Sequence, residues 1–219
     1  MSPRQPFAFV DYEGLVMPTG RRAANLREFL DTLSQVSLDV VCHHLHRAAL
    51  RHRFGTWDYP NDFASWAATG LEDLALAEKL AALDPYAYEQ LEQAREAITD
   101  LVQDHLRELS AAPVARRGLE FHFASAHYLA LPSGREASTL SQLRQAMTEV
   151  PLSSIFYHFH EARLRGPGDD SDDFSRWIEG QFGPDPVTAE LRGIDFYFFS
   201  LEDLRQRIVA ILDEHPAAG

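Results

Sequence analysis

Cysteine is almost absent from this sequence, since Cys42 is the one cysteine among 219 residues. A single thiol cannot form a disulfide within the chain, and it cannot build a cysteine-rich zinc or iron–sulfur site. Also absent is any apolar run near the roughly 18 residues that a membrane-spanning helix needs. The opening residues, MSPRQPFAF, lack the apolar stretch of a signal peptide. We therefore expect a cytoplasmic protein that does not enter a membrane.

Basic residues are scarce. The chain has 20 Lys and Arg against 33 Asp and Glu, which gives a net charge of −13. A surface of that sign repels phosphate backbones and anionic lipids over about 8 Å at physiological salt. We therefore expect no nucleic-acid partner and no membrane partner.

The familiar catalytic motifs are absent as well. The sequence has no serine nucleophile elbow, no Walker A loop and no dinucleotide fingerprint. These absences favour a non-enzymatic protein, but they leave open an enzyme built on histidines and carboxylates.

What the sequence does contain is an internal repeat. Residues 7–51 align with residues 121–165 without a gap, and 15 of the 45 paired positions are identical. The match continues after a three-residue deletion, which pairs Asp62 with Asp173 and Trp66 with Trp177. This pattern predicts repeat 1 at residues 5–109, a linker at residues 110–118 and repeat 2 at residues 119–215.

Each repeat of about 100 residues is predicted to be mainly α-helical. An F-x-F stretch indicates one short β-strand, which ends in a P-T-G or P-S-G turn. Thr19 or Ser133 would then cap a first helix, near residues 21–35 or 135–149. Three further helices follow in each repeat. We expect the two repeats to pack about a pseudo-two-fold axis, by analogy with symmetric dimers.

Five short motifs recur in both repeats: F-x-F, [TS]-G-x-x-A-x-x-L, V-x-L, H-x-H and D-F-x-x-W. In this pattern the chain resembles an uncharacterised bacterial family, a domain of unknown function. The resemblance covers most of both repeats. It implies no activity, cofactor or catalytic residue.

The H-x-H motif lies on the second helix of each repeat, at His44 and His46 and again at His158 and His160. Residues two apart on an α-helix point about 160° away from each other, because each residue advances by about 100°. The two histidines of one motif therefore cannot bind the same metal ion.

A composite site remains open. His44 and His158 could meet across the pseudo-two-fold axis, together with Asp62 and Asp173. Two histidines and two carboxylates suit zinc or iron(II), or a His–Asp acid/base pair. The alternative, which we favour, is that each histidine is structural and is hydrogen-bonded to a carboxylate or to a helix-end carbonyl. Asp62 and Asp173 are in that case most simply helix N-caps.

Other repeated residues could form ligand sites. The Trp side chains are expected to be core anchors, with a small-ligand pocket between the repeats as the alternative. The P-[TS]-G-R pattern resembles an anion-binding turn at a helix N-terminus, although simple capping explains it equally well. The candidate ligand-binding residues are Trp66, Trp177, His46, His160, Arg21 and Arg135.

Two functions are thus open. The first is a duplicated helical module that acts as a binding, scaffold or accessory protein, with a protein partner or a second copy of itself. The second is a metal-dependent enzyme or metal carrier.

Overall fold

The computed structural model describes residues 5–46, 50, 59–165, 171–196 and 199–215. Within these ranges no helix is both long and apolar enough to cross a bilayer.

The fold is an α/β structure built on two long strands, β1 (Phe7–Ala23) and β2 (Phe121–Ala137), which form a two-stranded antiparallel sheet. The expectation of a mainly α-helical fold with one short strand per repeat is therefore wrong. Each strand has 17 residues, and it runs straight through the predicted turn.

Glycine is the reason that the strands continue. Gly20 and Gly134 both have a φ of 75°, a left-handed conformation that a strand accommodates as a local bulge. The residue before each glycine then bonds across the sheet. The Thr19 hydroxyl donates to the Phe123 carbonyl at 2.6 Å, and the Ser133 hydroxyl donates to the Phe9 carbonyl at 2.8 Å. These hydroxyl groups are thus cross-strand donors and not helix caps.

The chain divides into two compact units. The central unit is Gly14–His127, and the flanking unit combines Met1–Glu13 with Tyr128–Gly219. Each strand therefore contributes one part to each unit. The units do not coincide with the two sequence repeats, whose boundaries stay a prediction.

The central unit contains the helices of repeat 1, which bury one face each around Phe29, Phe63 and Ile98. Phe121 and Phe123 of β2 belong to the same core. The predicted linker is ordered here, since the Ala115 amide donates to the Ala24 carbonyl at 2.6 Å. The helices of this unit are α1 (Leu26–Leu33), α2 (Leu38–Leu45), α3 (Asp62–Thr69), α4 (Leu74–Ala81) and α5 (Leu91–Glu108).

The flanking unit contains the helices of repeat 2, together with one turn of π-helix at Tyr157–Glu161 between two of them. Two arginines donate to carbonyls of this turn: Arg163 to Phe159 at 2.5 Å and Arg165 to Tyr157 at 3.2 Å. The helices are α6 (Leu140–Met147), α7 (Leu152–Phe156), α8 (Ala162–Arg165), α9 (Asp173–Phe182), α10 (Pro186–Arg192) and α11 (Leu201–Glu214).

The first helix of each repeat begins later than predicted, because Asn25 and Thr139 are the N-caps and not Thr19 and Ser133. Each cap accepts from backbone N–H groups of the first turn, where a helix has no internal acceptors.

The caps of the third helices lie one residue before the predicted Asp62 and Asp173. Asn61 caps α3 and Asp172 caps α9, each by accepting from an amide of the first turn. Asp62 and Asp173 are consequently the first helical residues, and their carboxylates are available for other contacts.

Candidate functional site: two histidine–aspartate pairs

His44 is buried in the central unit and bonds through both ring nitrogens. Its Nδ1 lies 2.6 Å from Oδ2 of Asp62, the first residue of α3. Its Nε2 accepts from the backbone amide of Ala124 in β2 at 3.0 Å. The side chain therefore ties helices α2 and α3 to a strand.

His158 makes the same two contacts in the flanking unit. Its Nδ1 lies 2.9 Å from Oδ2 of Asp173, and its Nε2 accepts from the Val10 amide of β1 at 3.0 Å. Val10 and Ala124 are themselves 114 residues apart, the offset of the sequence repeat.

These contacts define the protonation state. A backbone amide can only donate, so Nε2 of each histidine carries a lone pair, and the proton lies on Nδ1, facing the carboxylate. Burial lowers the pKa of His158 below its usual value, although the hydrogen bond to Asp173 acts in the opposite direction. The lowered pKa is consistent with a neutral His158 ring at neutral pH.

Asp173 carries more positive charge around it than a lone histidine supplies. Arg165 lies 2.9 Å from its Oδ2, and Arg176 lies 3.1 Å from its Oδ1. Burial alone would raise the pKa of Asp173, but the hydrogen bond from His158 and the charge of Arg165 lower it below its usual value. Position 65 of the other repeat, which matches Arg176, is a serine.

The tryptophans of the D-F-x-x-W motif fasten the same strands. The indole N–H of Trp66 donates to the Leu119 carbonyl at 2.9 Å, and that of Trp177 donates to the Gln5 carbonyl at 2.9 Å. Trp66 is buried in the core of the central unit, whereas Trp177 is only partly buried, and each of them binds a strand backbone.

A metal site with four ligands gains no support from this geometry. His44 pairs with Asp62 in one unit, and His158 pairs with Asp173 in the other. Across the residues that the structure describes, no group of three or more His, Cys, Asp or Glu side chains could hold a metal ion. A metal bound to either histidine would have to displace the strand amide or the carboxylate.

The second histidine of each motif is also buried. The His46 ring meets Tyr86 edge-on, with centroids 5.7 Å apart. The His160 ring stacks on Phe156 and meets Phe196 edge-on, with both pairs of centroids 5.0 Å apart. Burial, assisted by the nearby Arg163 charge, lowers the pKa of His160 to about 3. Such a ring stays neutral at physiological pH.

Arg21 and Arg135 are not placed as the anion-binding alternative requires. They lie in the strands and not at a helix N-terminus. The Arg21 guanidinium donates to Gln35 at 2.7 Å, and Arg135 forms an ion pair with Glu149.

A buried polar cluster in the flanking unit was not predicted from the sequence. Asp172 is fully buried and accepts from both the amide and the hydroxyl of Ser175. The buried Arg163 lies 3.9 Å from it and stacks on the rings of Phe159 and Phe196. Burial raises the pKa of Asp172. The matched residues in repeat 1 are Asn61 and Ala49, so a search for repeated residues could not find this pair.

The central unit has one surface depression beside its His–Asp pair. It has a volume of about 280 Å³ and is lined in part by His44, Asp62, Trp66, Glu120 and His122. His44 and Trp66 line this depression, but the described contacts already occupy both His44 nitrogens and the Trp66 N–H.

Comparisons with known proteins place this chain in an uncharacterised group. A model described as "Family of unknown function (DUF5752)" matches residues 4–213. A solved structure, "The structure of OrfY from Thermoproteus tenax", is 29% identical to this chain, with a TM-score of 0.73, and the similarity covers 98% of this chain and 97% of that chain. No curated protein matches. Membership of an uncharacterised family is thus confirmed, while its bacterial source stays a prediction.

Proposed function

The chain belongs to the family of unknown function DUF5752, and we propose that it is an internally duplicated binding protein whose repeated histidines are structural. The observation that carries this proposal is that His44 and His158 each use both ring nitrogens inside their own unit. A histidine in this state has no lone pair for a substrate proton or a metal ion. This argues against the metal-dependent enzyme as the function of the chain. The single cysteine favours a cytoplasmic location for the protein.

The proposed duplication is supported by contacts that recur at the offset of 114 residues. The amides that bond the two histidines belong to Val10 and Ala124, and the carbonyls that bond the two tryptophans belong to Gln5 and Leu119. Independent sequences would have no reason to place equivalent backbone atoms on equivalent side chains.

The proposed binding surfaces are two matching ribbon segments, one in each unit, which we define as residues 14–20 of β1 in the central unit and residues 128–134 of β2 in the flanking unit. Neither segment contains a charged residue, in a chain of net charge −13. Leu15 is 67% exposed and the matching Leu129 is 62% exposed. In the described part of the chain the sheet has two strands, so each strand has one open edge. Exposed apolar residues on an open strand edge are typical of a protein-binding surface.

A second copy of this chain is the partner that we propose for these segments. Two surfaces of net charge −13 repel each other, and an uncharged segment lets two copies approach without bringing like charges together. A strand edge can also pair in antiparallel fashion with the same edge of a second copy. Such a contact uses the same surface on both subunits, as a two-fold interface does.

The test is sedimentation velocity of the purified chain over a wide concentration range. We expect the unchanged protein to associate reversibly. The variant Leu15→Ser/Leu129→Ser should weaken this association at least about tenfold, because each substitution removes roughly 1.5 kcal/mol or more of apolar burial.

The matched control is Leu74→Ser. Leu74 is 63% exposed but lies at the start of helix α4, outside the ribbon. We expect Leu74→Ser to associate like the unchanged chain. A chain that stays monomeric at every concentration, or equal weakening by the control, would reject the ribbon as a self-binding surface.

A further inference from the structure

The helices of each repeat hold a strand that belongs to the other repeat. In the central unit, Trp66 and His44 of repeat 1 bind the backbone of Leu119 and Ala124, at the start of repeat 2. In the flanking unit the direction is reversed, since side chains of repeat 2 bind residues 5–10 of repeat 1. The two compact units are built in the same way. Each one joins the helices of one repeat to a strand portion of the other repeat, and it also contains part of its own strand.

We propose that each set of helices is a receptor for an extended F-x-F segment, and that the two halves of the chain bind each other through these receptors without needing the linker. The protein is then a pair of modules that exchange strands and that are also joined by the linker. This is an interaction between halves, and it is separate from the self-association proposed for the ribbon segments.

The receptor in the central unit recognises backbone and side chains of the segment together. Trp66 donates to the carbonyl two residues before Phe121, and His44 accepts the amide one residue after Phe123. Phe121 and Phe123 lie on the same face of the strand, since residues two apart in a strand share a face. Phe29 contacts both of them, with centroid distances of 5.5 and 5.7 Å.

The receptor in the flanking unit has the same tryptophan and histidine at the matching positions, while Leu143 stands in the place of Phe29. Trp177 donates to the carbonyl two residues before Phe7. Phe7 packs against the Phe174 ring at 5.2 Å and the His158 ring at 4.8 Å. Both receptors therefore select an extended segment with phenylalanines at positions i and i+2.

Strand exchange makes a mass-action prediction that a tandem of independent repeats does not. If the linker were cut, each compact unit would consist of two separate polypeptides, and its stability would depend on concentration. In the uncut chain the strand is tethered, so its effective concentration is high and independent of dilution.

The experiment uses the full chain with a protease recognition sequence inserted between Ser110 and Ala111, both of which are exposed. After cleavage we expect a single particle with the mass of the uncut chain in size-exclusion chromatography with light scattering. Its thermal midpoint should fall on dilution more steeply than that of the uncut protein, in which the strand stays tethered at every concentration.

The variant Phe9→Ala/Phe123→Ala, placed in the cleavable chain, tests the receptors themselves. We expect it to raise the dissociation constant of the cut halves by about 100-fold or more, since each bound segment loses one buried phenyl group. Phe199→Ala is the matched control, because Phe199 is 39% exposed and lies outside the strands. If the double alanine variant does not fold uncut, Phe9→Leu/Phe123→Leu should show the same effect at about tenfold.

Two outcomes would overturn the proposal. In the first, the cut halves separate, or the protein unfolds as soon as the linker is cut at micromolar concentration. In the second, the phenylalanine variants release the halves no more readily than Phe199→Ala does.

Discussion

At the scale of single residues, the two histidine–aspartate pairs show how a buried polar group is kept at low cost. Burying an imidazole or a carboxylate without partners is expensive, and the cost falls when each polar atom is hydrogen-bonded. His44 meets this requirement with one carboxylate and one strand amide. The same two bonds give the strand a fixed register on the helices, because a shift by one residue would point the amide away.

Replacing His44 by alanine is therefore expected to destabilise the protein by about 3 kcal/mol, as measured by urea unfolding. The change removes the acceptor of a part-buried amide and a partner of the buried Asp62 carboxylate. Asp62→Asn should cost less, about 1 kcal/mol, because the amide oxygen still accepts from Nδ1.

The control for this experiment is His127→Ala, since His127 is exposed in β2. We expect it to change the free energy of unfolding by less than about 0.5 kcal/mol. A loss for His44→Ala no larger than for this control would mean that the pair does not hold the strand.

The pKa of His160 predicts how the free energy of unfolding depends on pH. Its pKa in the folded protein is about 3, below the roughly 6.5 of an unfolded chain, so between these values the unfolded state binds the extra proton. The contribution of His160 to the free energy of unfolding should consequently be complete above about pH 6.5. It should fall as the pH drops below this value, by up to about 1.4 kcal/mol per pH unit.

The measurement compares urea unfolding of the unchanged chain and of His160→Phe from pH 7.5 to 4.5. Phenylalanine keeps the stacking on Phe156 and cannot titrate. The difference between the two proteins cancels the contributions of the shared carboxylates and of His158. Parallel pH profiles for the two proteins would contradict the assignment of a depressed pKa to His160.

At the scale of secondary-structure elements, the left-handed conformation of Gly20 and Gly134 lets each strand continue past the predicted turn. Helix caps, in contrast, are local features, and the observed caps Asn61 and Asp172 lie one residue before the predicted Asp62 and Asp173. P-T-G predicts a turn because proline and glycine usually end a strand. It fails here because the matching Ser133 and Thr19 find carbonyls on the opposite strand, which lies far away in sequence.

Alanine at either glycine is expected to cost about 1–2 kcal/mol. No atom lies within 4 Å of the added methyl group at these positions, so the penalty comes from the left-handed backbone alone. Thermal or urea unfolding of Gly20→Ala and Gly134→Ala measures it.

Gly180 provides the matched control, because it too has open space around an added methyl group but lies within helix α9. Gly180→Ala is expected to stabilise the protein by about 0.5–1 kcal/mol, the difference in helix propensity. Equal effects of the same sign at all three glycines would exclude backbone conformation as the cause.

At the scale of the whole molecule, the distribution of strands decides how the repeats are organised. The sequence repeat predicts two modules, each complete with its own strand. In the structure each compact unit instead combines helices of one repeat with a strand portion of the other. Both arrangements use the same contacts at the same matched positions, so an alignment of the repeats cannot tell them apart.

The sequence by itself determined the paired features of this protein. Helix caps were placed less closely, because several polar residues near a helix start can accept from its first-turn amides. The matched histidines, aspartates and tryptophans were identified as pairs because the sequence repeat preserves their spacing. It also gave the structural interpretation of the histidines as one of two alternatives. These features depend on residues that are close in sequence or that recur at a fixed offset.

Only the tertiary structure decided which atoms these residues meet. The amide on His44 is 80 residues away in the chain, and the amide on His158 is 148 residues away. Backbone amides are the same in every residue except proline, so no side-chain pattern marks Val10 or Ala124 as the partner. The choice between a metal ligand and a strand holder therefore depended on long-range pairing of the strands, which the sequence does not encode locally.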